Sequence, residues 1–237
     1  MVDTVPDLAV LVLAVVLDLA VGELPARFHP TVWMGRTVAF GEKLAPRNGL
    51  AGMAAGGVLA LLAAGLWAAA AYFAVRGLHG VHDVAYVLVG AVLLKTTFSL
   101  RMLHRAAAWV SGLLALGDIT QARCDLRSLV SRDTSGLSPE QAAAAAVESV
   151  SENVTDSFIG PWLFFALFGL PGAVAYRTVN TLDSMIGYHG EYEHLGKVSA
   201  RLDDLLNLVP ARLAGLLIVF GSLFLPGQRA RGAWRIM

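Results

Sequence analysis

Leu50–Val75 runs for 26 residues without a charged side chain. About 20 apolar residues in a helix cross the hydrocarbon of a bilayer. Inside lipid the backbone must satisfy its own hydrogen bonds, so such a run is a helix. Gly52, Gly56 and Ala60 recur at every fourth position, the small-residue spacing that lets another helix approach closely. The rest of the chain agrees: of 237 residues, 56% are hydrophobic and only 15% charged, against about 25% charged in soluble domains. The expected class is an all-α integral membrane protein of four to five transmembrane or re-entrant helices. The zero net charge leaves no broad basic surface for nucleic acid. The single cysteine, Cys124, excludes an internal disulfide or a multi-cysteine zinc site; it reads as a small buried side chain in an amphipathic helix.

Leu8–Val21 reads as a retained first membrane segment. Asp3 and Asp7 stand where a secretory signal carries basic residues, and no small-x-small cleavage site follows. Val84–Leu100 is the next apolar candidate, interrupted by Lys95, which either faces a protein interior or snorkels to the interface. In Arg101–Val130 the apolar residues Ile119, Ala122, Leu126 and Leu129 recur near helical spacing, with Arg123, Asp125 and Arg127 on other faces. Ser138-Pro139-Glu140-Gln141 then forms a helix start, with an N-cap, proline at N1 and glutamine at N3. Residues 101–156 are therefore expected to form an extramembrane helical region within one membrane-embedded domain of residues 1–237.

Phe158–Tyr176 carries no charge but is broken by Gly160-Pro161 and by Gly169-Leu170-Pro171-Gly172. Broken backbone at membrane depth must be buried in protein or line a cavity, so a re-entrant hairpin is favoured over a full span. Leu213–Leu225 is the last apolar run. Lysine and arginine number four in Gly22–Gly49, one after Val75 and five in Arg101–Asp156. That bias places the first and third connections in the cytoplasm, with the chain multi-pass in the cell membrane. With re-entry, the polar clusters on either side of the hairpin share the cytoplasmic face.

Those clusters carry the chemistry. On a helix, Glu148, Glu152 and Asp156 fall at i, i+4 and i+8 and share one stripe, although like charges at that spacing oppose helix formation. In a soluble protein this would be a solvated acidic face. Here it runs directly into an apolar segment, which favours a cation or a cationic substrate between the carboxylates. Asn180 with Asp183, and Asp203 with Asn207, are further pairs at helical spacing. With Asn153 and Asp204 nearby, the set supplies the hard oxygen ligands that suit Mg²⁺. Arg132, Arg177, Arg201 and Arg212 flank the clusters and suit bidentate grip of phosphate or carboxylate. This composition fits nucleotide- or phosphate-dependent chemistry better than covalent hydrolysis.

Arg132-Asp133-Thr134-Ser135-Gly136-Leu137, Glu148-Ser149 with Glu152-Asn153, Tyr176-Arg177 with Asn180-Thr181-Leu182-Asp183-Ser184-Met185, and Ala200-Arg201-Leu202-Asp203-Asp204 with Asn207 and Pro210-Ala211-Arg212-Leu213 closely resemble the CobD/CbiB family. His29-Pro30 with Met34-Gly35 matches that family's N-terminal motif. The resemblance, five motifs in order over nearly the whole chain, implies the adenosylcobinamide-phosphate synthase of cobalamin biosynthesis, an integral membrane ligase. Aminopropanol, usually as its phosphate, would be joined as an amide to a propionate of adenosylcobyric acid, with ATP as co-substrate. The expectation is that Mg²⁺-ATP activates the carboxylate, as an acyl phosphate, before the amine attacks. Glu148, Glu152 and Asp183 are the expected catalytic residues; Glu152, Asp156, Asp183, Asp203 and Asp204 would hold the metal. His29, Arg132, Asp133, Thr134, Ser135, Asn153, Arg177, Asn180, Ser184, Arg201, Asn207 and Arg212 would contact the corrinoid, the amine or the nucleotide. Other enzymes of corrin synthesis are possible partners at the membrane.

Two departures accompany the match. Where the family has Gly-Asp-Pro, this chain has Gly22-Glu23-Leu24-Pro25, which keeps the charge on a longer side chain. The family also runs on beyond Gln228-Arg229-Ala230-Arg231 into a further segment, which is expected to be absent here. The alternatives are a non-catalytic membrane sensor or regulator of the AmpE type, and a small transporter using Asp18, Lys95 and the broken segment.

Overall fold

A computed structural model describes residues 4–79, 82–130, 133–188 and 190–224, and none of these lies in a strand. The helices are α1 (Thr4–Ala20), α2 (Pro30–Leu44), α3 (Gly49–His79), α4 (Asp83–Lys95), α5 (Leu100–Ala115), α6 (Ile119–Leu126), α7 (Pro139–Val154), α8 (Gly160–Ile186) and α9 (Lys197–Ser222). A π turn, Thr155–Ile159, joins α7 to α8. The expected all-α membrane architecture stands: four helical stretches, Gly49–Leu78, Asp83–Ala115, Pro139–Ile186 and Lys197–Ser222, are long and apolar enough to cross a bilayer.

The small-residue stripe of α3 does what its spacing predicts. A side chain at Gly56 would run into the Leu195 carbonyl, and Ala60 is fully buried against Leu182, Ile186 and Leu195. The opposite face, with Leu61, Leu62 and Leu66, is exposed, as a lipid-facing surface must be. Val84–Leu100 is not one helix. It ends at Lys95, where the Thr96 and Thr97 hydroxyls donate to Leu93 O and Leu94 O, and α5 restarts at Leu100. The expected amphipathic stretch after it is two helices, α5 and α6, turned at Gly117 (φ 77°). With α7 they enclose a small core of Val110, Leu126, Ala142 and Ala145. The Ser138–Gln141 capping box is present in both directions. Cys124 is exposed; this corrects the buried reading, since it is Ala122 and Leu126 that α6 turns inward.

The decisive element is α8. At Gly169 (φ 67°, ψ −163°) the backbone leaves the helical region for one that essentially only glycine occupies. Pro171 has no N–H to offer the Leu167 carbonyl. A straight helix would hold Phe164 and Tyr176 about 18 Å apart, yet their rings stack with centroids 5.0 Å apart. The two arms therefore double back, and the hairpin's open end brings Tyr176 Oη to 3.4 Å from Asp156. Both flanks of the hairpin lie on the same side, the arrangement that re-entry requires.

A second proline shapes the approach to that end. In a regular helix the Ser157 carbonyl would accept from residue 161, which is proline and has no N–H. It accepts instead from the Ser99 N–H at 3.1 Å, which fastens the α4–α5 joint to the π turn. Single π turns inside helices occur frequently at functional sites.

Candidate active site

A cavity of about 460 Å³ lies at the hairpin's open end. The predicted stripe forms one wall, with Glu148, Glu152 and Asp156 all lining it. Asn153 is beside them, its amide donating to Ser149 O at 2.9 Å. Arg177, Asn180 and Ser184, one helical turn apart on the returning arm of α8, form the facing wall. Arg177 Nη1 donates to Asn180 Oδ1 at 3.0 Å, while its Nε is buried without a hydrogen-bond partner. Asn180 interacts with both Asp156 and Asp203.

Behind this wall α9 adds Asp203 and Asn207. Asn207 Nδ2 donates to Asp203 Oδ2 at 2.9 Å, and the second oxygen, Asp203 Oδ1, is buried without a partner. Asp203 feels the charges of Asp156 and Asp183, and Asp183 those of Asp204 and Glu152. The carboxylates expected to act together thus share one electrostatic neighbourhood built from α7, the π turn, α8 and α9. Among the described residues, however, no three Asp, Glu, His or Cys side chains converge as a ready-made metal site.

Other predicted residues stand apart. Arg201 and Arg212 are exposed on α9 and do not line the cavity; Arg201 pairs with Asp204 at 3.8 Å. Both lie about half a helical turn from Asp203 around the axis, so they face away when Asp203 faces in. Thr134 is fully buried, with its hydroxyl donating to Arg123 O at 2.6 Å. Asp133 closes a local turn by accepting from Ser135 N at 3.0 Å and Ser135 Oγ at 2.8 Å. Arg132 lies outside the described residues.

His29 belongs to a polar cluster on the cavity's flank. Its Nε2 is 2.9 Å from Glu23 Oε2. Lys95 Nζ donates to the same oxygen at 2.8 Å, and Ser99 Oγ donates to Oε1 at 2.7 Å. Lys95 is 3% exposed, and lies 3.6 Å from the fully buried Asp18, so it faces the protein interior and does not snorkel. Desolvation alone would raise the Glu23 pKa, but these hydrogen bonds and the Lys95 charge pull it down to about 2. Ser99, Met102 and Arg177 border both this cluster and the acidic cavity.

Residues not singled out from sequence as site residues also contribute. Tyr176 donates to Asn207 Oδ1 at 2.7 Å; its place beside Arg177 at the end of an apolar arm was the available signal. Ser99, Ser157 and Tyr188 line the cavity. The break of the apolar run at Thr96-Thr97-Phe98-Ser99 could have pointed to the first of these.

The family model for CobD/Cbib proteins matches residues 11–237. The chain is 44% identical over 231 residues to the cobalamin biosynthesis protein CobD of Dehalococcoides mccartyi, covering 97% of this chain and 75% of that protein. It is 46% identical over 230 residues to CobD of Geobacter metallireducens, covering 97% and 72%. With CobD of Klebsiella pneumoniae the identity is 40% over 227 residues, covering 93% and 71%. No solved structure matches the chain.

Proposed function

The chain belongs to the CobD/Cbib family, and from that membership we propose that it forms an amide between aminopropanol, or its phosphate, and a propionate carboxylate of adenosylcobyric acid, with ATP as co-substrate. Its role in cobalamin biosynthesis follows from the family itself. The ligation chemistry is supported by one observation above the others: the acidic stripe that ends α7 meets Asn180, Asp183 and Asp203 beside Arg177.

An alkyl amine is a cation at neutral pH and must lose a proton before it attacks a carbonyl carbon. An acidic pocket gathers such a cation and then accepts its proton. Glu148 and Glu152, exposed on the cavity wall, would accept that proton, with Asp183 as the third carboxylate. Arg177, whose Nε is unpartnered, suits the anionic side of the reaction, a propionate or a phosphate. The amine nitrogen bonds to the activated carboxyl carbon, the activating phosphate leaves with the carboxyl oxygen, and the proton passes to the carboxylate. The lysine- and arginine-rich connections favour the cytoplasmic face, where ATP is found.

The donor set also suits Mg²⁺. That ion needs only one or two carboxylates, since it keeps several waters and completes its shell with phosphate oxygens. Asp203, with its buried unpartnered oxygen, and Asp156 would hold it, with Glu152, Asp183 and Asp204 nearby. Bound there, it would neutralise phosphate charge and polarise the transferred group.

The test is ligation by the protein in detergent, from adenosylcobyric acid, aminopropanol phosphate and Mg²⁺-ATP. Glu152→Ala, Asp183→Ala and Asp203→Ala should each lower the rate by about 100-fold or more while membrane insertion is unchanged. Near-normal turnover in all three would sink the assignment. Absence of ATP-dependent product from the unaltered chain would favour the non-catalytic alternative.

A further inference from the structure

A second concavity, of about 840 Å³, opens between the end of α1 and one face of α5. Arg101, His104, Arg105 and Trp109 line it, opposite Gly22 and Glu23. The four α5 residues stand at i, i+3, i+4 and i+8 and so share a helix face. This lining is the electrostatic opposite of the neighbouring cavity, whose walls carry Glu148, Glu152 and Asp156 against Arg177.

Both Glu23 oxygens are already hydrogen-bonded, Oε2 to Lys95 at 2.8 Å and His29 at 2.9 Å and Oε1 to Ser99 at 2.7 Å. Arg101 is anchored by one nitrogen, Nη1, which donates to Ala20 O at 2.8 Å, so the rest of its guanidinium remains available. Among the described residues the side chains of His104 and Arg105 have no hydrogen bond or ion pair. Asp125 accepts from Trp109 Nε1 at 2.7 Å, which fixes the indole at the far end. Met102 borders both concavities.

We infer that this groove is a second binding site, for a phosphate-bearing anion held by Arg101, His104 and Arg105, with Trp109 covering the adjoining part of the ligand. Guanidinium groups match phosphate oxygens in bidentate geometry, and the volume lies within the range of small-molecule sites. The same chemistry is offered by a soluble phosphoanhydride and by an anionic phospholipid headgroup, to which a basic helix face carrying tryptophan is also suited. The assignment stands apart from the ligation reading, since it is read by binding and not by turnover.

The experiment uses the full chain in neutral detergent, with labelled inorganic pyrophosphate in equilibrium dialysis. In parallel, unfolding temperature is measured in nanodiscs of phosphatidylcholine with and without phosphatidylglycerol. Arg105→Gln should weaken pyrophosphate binding about tenfold, and the His104→Gln/Arg105→Gln double variant further. Arg76→Gln, on the exposed end of α3 and outside both concavities, should leave it unchanged. If the lipid headgroup is the natural source, phosphatidylglycerol should raise the unfolding temperature of the unaltered chain but not of the double variant, and pyrophosphate should bind only weakly. Both altered side chains are exposed, so an unchanged circular dichroism spectrum identifies folded variants. A folded double variant that keeps both responses, or an unaltered chain that shows neither, overturns the inference.

Discussion

Tyr176 and Asn207 hold the returning arm of the hairpin to α9: the Tyr176 hydroxyl donates to Asn207 Oδ1 at 2.7 Å. Asn207 passes the constraint on by donating to Asp203 Oδ2 at 2.9 Å, leaving Oδ1 as the carboxylate's unpartnered edge. Tyr176→Phe keeps the ring stacked on Phe164 but removes the first link. Stability should fall by only about 1 kcal/mol, whereas ligation should fall about tenfold or more as Asp203 loses its fixed orientation. Unfolding in detergent and initial rates separate the two; a rate loss no larger than the stability loss accounts for would contradict the relay.

Glu23 makes acid stability predictable in sign. Its folded pKa of about 2 lies below its ordinary 4.5, so the ionised form is favoured by folding. The contribution is full above about 4.5 and is lost as pH falls toward 2. Unfolding measured against pH should therefore show a steeper acid limb for the unaltered protein than for Glu23→Gln, with the two curves approaching one another near pH 2. Parallel curves over that window would refute the pairing.

Lys95 carries the positive charge of a buried cluster, 3% exposed beside the fully buried Asp18. Lys95→Met leaves Asp18 and Glu23 without their cation. Removing one partner of a buried pair costs about 3–5 kcal/mol, enough to deplete the folded protein in the membrane. Adding Asp18→Asn should recover part of the loss, as read by folded yield and unfolding temperature. A snorkelling lysine would show neither effect.

The hairpin predicts labelling from one side. In a Cys124→Ser background, cysteines at Ser151 and Glu191 should react with an impermeant thiol reagent from the same face of the membrane. Gly169→Ala forces a side chain onto backbone that only glycine tolerates, at about 1–3 kcal/mol, and should lower stability together with ligation. Labelling from opposite faces would mean that the chain crosses where we find it turning back.

What the sequence made legible was local. The stripe of α7, the small residues of α3, the Ser138 cap and the break at Gly169 each follow from neighbours within a turn or two, and each is present. What it left open depended on partners far along the chain. Whether Lys95 pointed inward was settled by Asp18 and Glu23, more than 70 positions away. Tyr176 gained its place only because the fold-back brings it against Phe164 and Asp156. Arg201 and Arg212 shared a motif with Asp203, but the packing of α9 decides which side of that helix meets the cavity, and it chose Asp203.

Pro161, which cannot donate, leaves the Ser157 carbonyl to the Ser99 amide. One peptide group therefore sews the basic-faced helix to the acid-bearing one, a single residue beyond Asp156. A tilt of α5 would be felt at the carboxylates through main chain alone, with no side chain needed to relay it. The two oppositely charged basins are in this sense the two pans of one balance, hung from a seam that a proline made necessary.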